Sequence, residues 1–225
     1  MNLNLNELLE KGNLISYYRE YDAPPFRKGE ALRYSGISGK IEAEDWKLDR
    51  LLADCFELAK QAVAPKVVYA YFPLTRDEEG YPILPFYAKS NHLKKNLDGC
   101  DGVILFAASI GAGTDRLVMR YNRTEPTKGL LISGIGSERV ESLCDAFCLD
   151  LKNEAAEAGY RTHPRYSPGY GVLPITVQPE FLKLLNAEKM LGITLNASYL
   201  MSPSKSVTAI IGLEKTKRAE EFEKG

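Results

Sequence analysis

The chain has 225 residues, of which 44% are hydrophobic and 26% charged, and its formal net charge is −1. These proportions are typical of a soluble globular protein, and an almost neutral chain has no basic surface for nucleic acid or an acidic membrane. No apolar run approaches the ~20 residues of a membrane-spanning helix, and the first residues lack the basic and apolar regions of a signal peptide. We therefore expect a cytoplasmic protein that binds neither nucleic acid nor membrane, organised as one domain over residues 1–225.

The cysteine pattern agrees with a reducing compartment. None of the four cysteines forms a Cys-x-x-Cys pair, and a chain of this size does not need disulfide bonds to hold its core. Cys144 and Cys148 fall one turn apart on a predicted helix without a histidine at ligand spacing, so we expect core residues rather than zinc ligands. With only two histidines, His92 and His163, the sequence suggests no Ser-His-Asp or Cys-His arrangement.

Two helices are predicted in the first third of the chain. Leucines on one side of residues 1–21 indicate a short amphipathic helix, which the prolines after Ala23 end. Apolar residues at three- and four-residue steps predict a longer helix from about Ala43 to Val63. Trp46, the only tryptophan, is expected to cover the core against which this helix packs.

Strands are predicted next along the chain. Residues 67–72 are rich in β-branched and aromatic side chains, which favours a strand. The charged turn at residues 75–80 then predicts a hairpin, with residues 81–87 as the partner strand at an edge of the sheet. Val103–Ala108 is apolar throughout, a pattern typical of a central strand buried on both faces.

A glycine-rich loop follows this apolar strand and leads into a helix. Strand, glycine loop and helix in this order form the layout of a nucleotide-binding turn. The stretch Gly111-Ala112-Gly113 supplies only Gly-x-Gly, and the third glycine of the dinucleotide fingerprint is absent. A nucleotide-binding enzyme that uses the Gly111–Gly113 loop therefore stays open as an alternative function.

A long helical region is predicted from Pro126 to about Ala158, loosened at residues 133–136. Its second half carries an apolar stripe, and Glu141 and Asp145 lie one turn apart beside that stripe. From the pattern alone, such acidic residues mark the edge of the helix that meets solvent.

The segment from His163 to Gly171 packs an arginine, two tyrosines, a serine, two glycines and two prolines into nine residues. Prolines fix the backbone and glycines permit positive φ or close approach, so the segment is predicted to be a rigid loop. Arg165 offers a forked donor that matches a carboxylate or a phosphate. The same composition also fits an ordinary surface turn.

The last part of the chain is predicted to hold a helix from Pro179 to Gly192 and then two strands. The strands, residues 193–201 and 206–213, are predicted to form a hairpin. Residues 214–225 are charged and are expected to form a solvated tail. The alternation of helices with short strands favours an α+β fold, and a doubly wound α/β fold is the alternative.

Two of these segments together resemble a known family. Arg165-x-x-x-Gly169-Tyr170 resembles the Arg-x-x-x-Gly-Tyr signature of the activation domain of cobalamin-dependent methionine synthase, which binds S-adenosylmethionine. Further on, residues 198–203 resemble the family's Ser-aromatic-x-Met-x-Pro strand, and residues 206–207 its Ser-Val. The resemblance is clear from about residue 141 to residue 212, and over the first hundred or so residues it extends only to shorter, free-standing members of the family.

This resemblance implies a fold and a role. The fold is a single domain with a twisted, mainly antiparallel sheet flanked by helices. The family supports reductive methylation of cob(II)alamin, in which S-adenosylmethionine gives the methyl group and an outside donor such as flavodoxin gives the electron. The chain has no Asp-x-His-x-x-Gly corrinoid motif. The resemblance therefore implies a reactivation module that docks on a separate cobalamin-dependent methionine synthase or other corrinoid methyltransferase.

The resemblance also implies ligand-binding residues. Arg165 would hold the ligand's carboxylate, and Glu141, or Asp145 one turn later, its ammonium. The backbone of residues 168–170 would meet the adenine, and Tyr170 or Tyr199 would lie beside the sulfonium. The expected cofactor-binding set, without any catalytic residue, is Glu141, Arg165, Ser167, Gly169, Tyr170 and Tyr199.

Two positions depart from the family pattern. Ala197 stands where the family usually has an acidic residue, and Ser202 where it has a tryptophan. These departures keep open a second alternative, a ligand-sensing or scaffold relative that retains the fold without a role in methyl transfer.

Overall fold

The computed structural model describes Leu5, Leu9 and residues 16–37, 46–86 and 89–216. In chain order its strands are β1 Tyr17–Glu20, β2 Lys66–Pro73, β3 Thr75–Arg76, β4 Pro82–Ile83, β5 Gly102–Ser109, β6 Tyr160–Thr162, β7 Thr194–Leu195, β8 Met201–Ser202 and β9 Ser206–Lys215. Its helices are α1 Lys28–Tyr34, α2 Trp46–Lys60, α3 Asn91–Asn96, α4 Gly113–Thr124, α5 Pro126–Glu157, α6 Gln178–Leu184 and α7 Ala187–Leu191.

Five strands form one sheet in the order β1-β2-β5-β9-β6, and every neighbouring pair is antiparallel. Strand β5 lies in the centre, as its apolar sequence predicts. The pairing confirms the predicted α+β class with a mainly antiparallel sheet and flanking helices. The doubly wound alternative is wrong, because its strands would run parallel.

The central strand divides its side chains between two cores, since successive side chains of a strand point to opposite faces. Ile104 and Phe106 face α5, where the ring centroid of Phe106 lies 4.8 Å from that of Phe147. Val103 and Leu105 face the opposite core, to which α3, α6 and α7 contribute. Because helices cover both faces, β5 is apolar from Val103 to Ala108, and the hydroxyl of its last residue, Ser109, accepts a hydrogen bond from Ser206.

Helix α5 continues through residues 133–136, where the sequence predicted a loosening. A Cβ at Gly134 would lie 2.0 Å from Ser35 Oγ, and one at Gly136 would lie 2.6 Å from Thr114 Cγ2. These glycines therefore allow α5 to approach its neighbours closely, and this packing holds the helix where local propensity would weaken it.

Both predicted hairpins have the wrong strand partners. Strand β2 pairs with β1 and β5. Among the described residues of the expected partner segment, 81–86, only Pro82–Ile83 forms a strand, and it pairs with β3. Similarly, β9 pairs with β5 and β6, while β7 pairs with β8. Turn signals are local, but the choice of partner depends on which faces become buried.

The predictions for the N-terminal third need three corrections. The helix expected over residues 1–21 falls largely outside the described residues, and residues 17–20 form strand β1. Leu5 nevertheless packs into the core between the sheet and α5. Trp46 is 63% exposed, so it does not cover a core. Helix α2 itself is present, but it ends at Lys60, and residues 43–45 lie outside the described part.

The expected solvated tail begins as the end of β9. Glu214 accepts a hydrogen bond from Arg161 Nε at 2.7 Å, and its Oε2 lies 2.7 Å from His163 Nε2. Residues 217–225 lie outside the described part of the chain. No helix that the structure describes combines the length and the apolar character needed to cross a membrane.

Candidate functional site

The backbone around Arg165 is fixed by strand β9. The amide of His163 donates to the carbonyl of Gly212 at 2.9 Å, and Tyr166 and Ile210 exchange two hydrogen bonds of 2.8 and 2.9 Å. Arg165 lies between these anchors, so its side chain leaves the edge of the sheet at a defined point beside α5.

The side chain of Arg165 meets both acidic residues that the sequence singled out on α5. Its Nη2 donates to Glu141 Oε2 at 2.8 Å and to Asp145 Oδ1 at 3.2 Å. Burial acts to lower the pKa of Arg165, but the surrounding negative charge, including Glu141, raises it above the usual value, and the group is cationic. Within the part of the chain that the structure describes, Arg165 Nε and Nη1 have no hydrogen-bond partner.

Arg165 lines a surface groove of about 420 Å³. Asp145 and Cys148 of α5 form one wall, and His163 and Ile211 contribute to the other. The side chain of Arg165 is 28% exposed, so a solute in the groove can contact it. A second hollow of about 500 Å³ lies near β4 and α6, away from the predicted residues, and the described residues of its wall include no arginine.

A buried charge network lies on α5 close to the acidic residues of the site. Glu138 is fully buried and accepts hydrogen bonds from Arg139 Nη2 and from the Ser142 hydroxyl, both at 2.6 Å. Burial alone would raise the pKa of Glu138, but the hydrogen bonds from Arg139 and Ser142 outweigh it, and the pKa lies below the usual value. The sequence analysis did not identify this network.

Arg27 connects this network to the site. Its Nε donates to Glu138 Oε1 at 3.3 Å, and its Nη1 donates to Asp145 Oδ2 at 2.9 Å. Arg27 lies just before α1, far from α5 in sequence, and no local pattern marked it.

Glycines shape the loop that follows Arg165. Gly169 has φ +85°, and its amide donates to the carbonyl of Leu173 at 2.9 Å. Gly171 has φ +56°, and a Cβ there would lie 2.5 Å from His92 Nδ1 and 2.6 Å from the Tyr166 hydroxyl. Both positions therefore require glycine. His92 and Tyr166 pack closely against the loop at Gly171, and no sequence pattern indicated these contacts.

The other predicted site residues occupy two separate places. Ser167, Gly169 and Tyr170 follow Arg165 directly, and the Tyr170 ring is 69% exposed. Tyr199 lies in the turn between β7 and β8 with φ +62°, where Asn196 Oδ1 accepts hydrogen bonds from the neighbouring amides of residues 198 and 200. The structure thus brings Glu141 and Arg165 into contact, and it places Tyr199 on a hairpin of its own.

The glycine at the end of the Gly111–Gly113 loop is explained by close packing against another part of the chain. A Cβ at Gly113 would lie 2.1 Å from the carbonyl oxygen of Ala62, and the Ala64 amide donates to the carbonyl of Ile110 at 2.9 Å. The chain segment after α2 therefore packs against this loop, and this packing alone accounts for a glycine at position 113.

The cysteines of α5 differ in exposure. Cys144 is buried, and burial raises the pKa of its thiol strongly. Cys148 is partly exposed in the groove, and burial raises its pKa to about 11 in spite of the nearby Arg165. Both thiols are protonated at neutral pH. No cluster of three or more potential ligands for a metal ion occurs within the described ranges.

The protein therefore has an α+β fold. At the site, the loop that carries Arg165 contacts α5, the longest described helix, through Glu141 and Asp145. The family model described as "Vitamin B12 dependent methionine synthase, activation domain" matches residues 76–224. The chain therefore belongs to the family of methionine synthase activation domains.

A solved structure supports the fold assignment. "Crystal Structure of the MetH Reactivation Domain bound to AdoHcy" superposes with a TM-score of 0.65 at 18% sequence identity, over 88% of this chain and 78% of that chain. A search of the curated proteins found no match.

Proposed function

We propose that this chain binds S-adenosylmethionine at Arg165 and Glu141 and supports the reductive methylation of cob(II)alamin on a separate corrinoid protein. The observation that carries the proposal is the contact of 2.8 Å between Arg165 Nη2 and Glu141 Oε2, beside a groove into which Arg165 offers unused donors. Family membership and the fold of a domain bound to AdoHcy support it.

The chemistry of the pair suits an amino-acid group. The carboxylate and the ammonium of an α-amino acid are attached to the same carbon, so a recognition site needs a cation and an anion side by side. Arg165 provides a planar donor for the carboxylate, and Glu141 an acceptor for the ammonium. Asp145 is less suited to the ammonium, because Arg27 already binds one of its oxygens.

The rest of the ligand would extend along the loop that follows Arg165. Gly169 and Gly171 fix the shape of this loop, and the backbone of residues 168–170 would meet the adenine. The exposed Tyr170 ring, or Tyr199 from the neighbouring hairpin, would contact the sulfonium, an attraction of ~1 kcal/mol.

In this proposal the methyl acceptor is the reduced corrinoid of a partner, which is a cobalamin-dependent methionine synthase or another corrinoid methyltransferase. The chain binds and orients the methyl donor, so it needs no catalytic base of its own. The electron comes from an outside donor such as flavodoxin. We assign this role to the cytoplasm.

Calorimetric titration with S-adenosylmethionine tests the binding site. We expect saturable binding by the wild type and a loss of about ten- to a hundred-fold in affinity in R165A, since hydrogen bonds to charged groups are the strong ones. The matched control is R161A, which removes an arginine of the same segment that pairs with Glu214. Absence of binding by the wild type, or equal losses in R165A and R161A, would contradict the proposal.

Methyl transfer distinguishes the reactivation module from a ligand-sensing relative. A corrinoid protein in the cob(II)alamin state is incubated with S-adenosylmethionine and a reductant, with and without this chain. Formation of methylcobalamin that depends on the chain and on Arg165 supports the module. Ligand binding without such transfer would favour the sensor.

A further inference from the structure

Asp145 lies between two arginines from distant parts of the chain. Its Oδ1 accepts from Arg165 Nη2 at 3.2 Å, and its Oδ2 accepts from Arg27 Nη1 at 2.9 Å. The side chain of Asp145 is 49% exposed, so neither contact is locked in a dry interior. The carboxylate can therefore shift between its two partners.

The donors of Arg165 explain why such a shift would matter. A guanidinium binds a carboxylate in a bidentate manner, with two parallel N–H···O hydrogen bonds, either from Nη1 and Nη2 or from Nε and Nη2. Both forks include Nη2, which has two N–H groups. In this structure Glu141 and Asp145 are both bound by Nη2. Bidentate binding of an incoming carboxylate therefore requires either Glu141 or Asp145 to give up its hydrogen bond to Nη2.

Asp145 is the partner better placed to leave. Its contact with Arg165 is 3.2 Å, against 2.8 Å for Glu141, and it keeps Arg27 as a second cation. Within the described residues, Glu141 has Arg165 as its one hydrogen-bonded cation.

Arg27 is itself held in place. Its backbone amide and its Nε each donate to Glu138 Oε1 at 3.3 Å, and Glu138 is a fully buried carboxylate. Arg139 and Ser142 fix Glu138 in turn. Arg27 therefore presents Nη1 to Asp145 from a fixed position.

We propose that Asp145 is an internal competitor for Arg165, occupying it while the site is empty, and that Arg27 is the positioning residue that holds Asp145 away once a carboxylate ligand binds. This inference rests on the proposed function, because the competing ligand is the amino-acid end of S-adenosylmethionine. It gives Glu141 and Asp145 different roles, although they lie one turn apart on the same face of α5.

The proposal predicts opposite effects for two substitutions. D145N removes the competitor and tightens S-adenosylmethionine binding about two- to five-fold, the size expected for a half-exposed ion pair. R27A leaves Asp145 with Arg165 as its one paired cation among the described residues, and it weakens binding by a similar factor. In the double variant R27A/D145N most of the loss caused by R27A disappears, because there is no competitor left to hold back.

The test is calorimetric titration of the wild type and the three variants, with thermal melting to confirm folding. The matched ligand is 5′-methylthioadenosine, which lacks the amino-acid group, and its affinity should stay within about two-fold across all four proteins. Weaker S-adenosylmethionine binding by D145N would overturn the proposal by making Asp145 a direct ligand. An R27A loss that persists unchanged in the D145N background would overturn it by making Arg27 a ligand or a purely structural residue.

A measurement without ligand separates this inference from the proposed function. Phenylglyoxal modifies accessible arginines, and mass spectrometry of peptides reports the rate at Arg165 alone. The rate should rise in D145N and fall in R27A. If these rates shift while the wild type fails to bind S-adenosylmethionine, the competition stands and the proposed function fails. If the ligand binds and the rates are unchanged, the competition fails and the proposed function stands.

Discussion

The loop before α4 and the loop after β6 are both rich in glycine, but their surroundings differ. At Gly113 the nearest atom to an added Cβ would be the Ala62 carbonyl oxygen, at 2.1 Å, so the chain itself fills the space. The loop after β6 instead borders an open groove, and Arg165 offers N–H groups there that no described residue accepts.

This difference shows what glycine content can and cannot indicate. Glycine shows that a backbone position is constrained, either by positive φ or by a close neighbour. It does not show whether that neighbour is the protein or a ligand. The distinguishing feature of the loop after β6 is a charged group with unused hydrogen-bonding capacity, which the loop before α4 lacks among the described residues.

The largest expected effect concerns Glu138 in the buried charge network of α5. E138Q leaves the buried guanidinium of Arg139 without a counter-charge, and removing one partner of a buried ion pair costs about 3–5 kcal/mol. The measurement is urea denaturation near neutral pH. The matched control is E30Q, which removes the carboxylate of an exposed pair with Arg33 and should change the free energy of unfolding by less than ~1 kcal/mol.

The pH dependence follows from the pKa of Glu138. This pKa is lower in the folded protein than the ordinary value of 4.5. The ionised carboxylate therefore stabilises the fold above that pH, and its contribution is lost as the pH falls through the folded pKa. The stability difference between wild type and E138Q should be constant above pH 4.5 and shrink in more acidic solution. A difference that grows on acidification would contradict this assignment.

A second prediction tests the close packing of the loop before α4. G113A places a methyl group against a backbone carbonyl that cannot move easily, and overpacking of this kind costs about 1–3 kcal/mol. The control is G29A within α1, where a Cβ meets nothing within 4 Å and alanine should stabilise the helix by ~0.5–1 kcal/mol. If thermal melting shows G113A to be as stable as the wild type, the loop has free space and the comparison of the two loops fails.

The smallest effect concerns thiol reactivity in the groove and leaves stability unchanged. The pKa of Cys148 is about 11, so alkylation by iodoacetamide should be slow at pH 7 and accelerate about ten-fold per pH unit as the thiolate forms. Cys55 also has a pKa of about 11, but it is buried and should stay unmodified in the folded protein. Equal rates at the two cysteines by mass spectrometry would mean that the groove is no more open than the core.

Local sequence patterns were sufficient for the central strand and the two long helices. The apolar run of β5 and the three- and four-residue periodicity of α2 and α5 depend on neighbours in sequence, so they identify these elements directly. The signature loop and Arg165 were also predictable, because prolines and glycines constrain the backbone wherever they occur.

Strand partners and polar partners were decided by the tertiary structure. The turn signals near β2 and β9 suggested hairpins, but burial on both faces of the sheet paired these strands with β5 instead. Glu141 and Asp145 look alike in sequence, since positions four apart share a helix face. They differ because Arg27, 118 residues from Asp145, reaches only one of them. Contacts over such separations leave no periodic signal in the chain. The sequence therefore determined the central strand, the long helices and the loop that carries Arg165, and the fold decided which charges share a site.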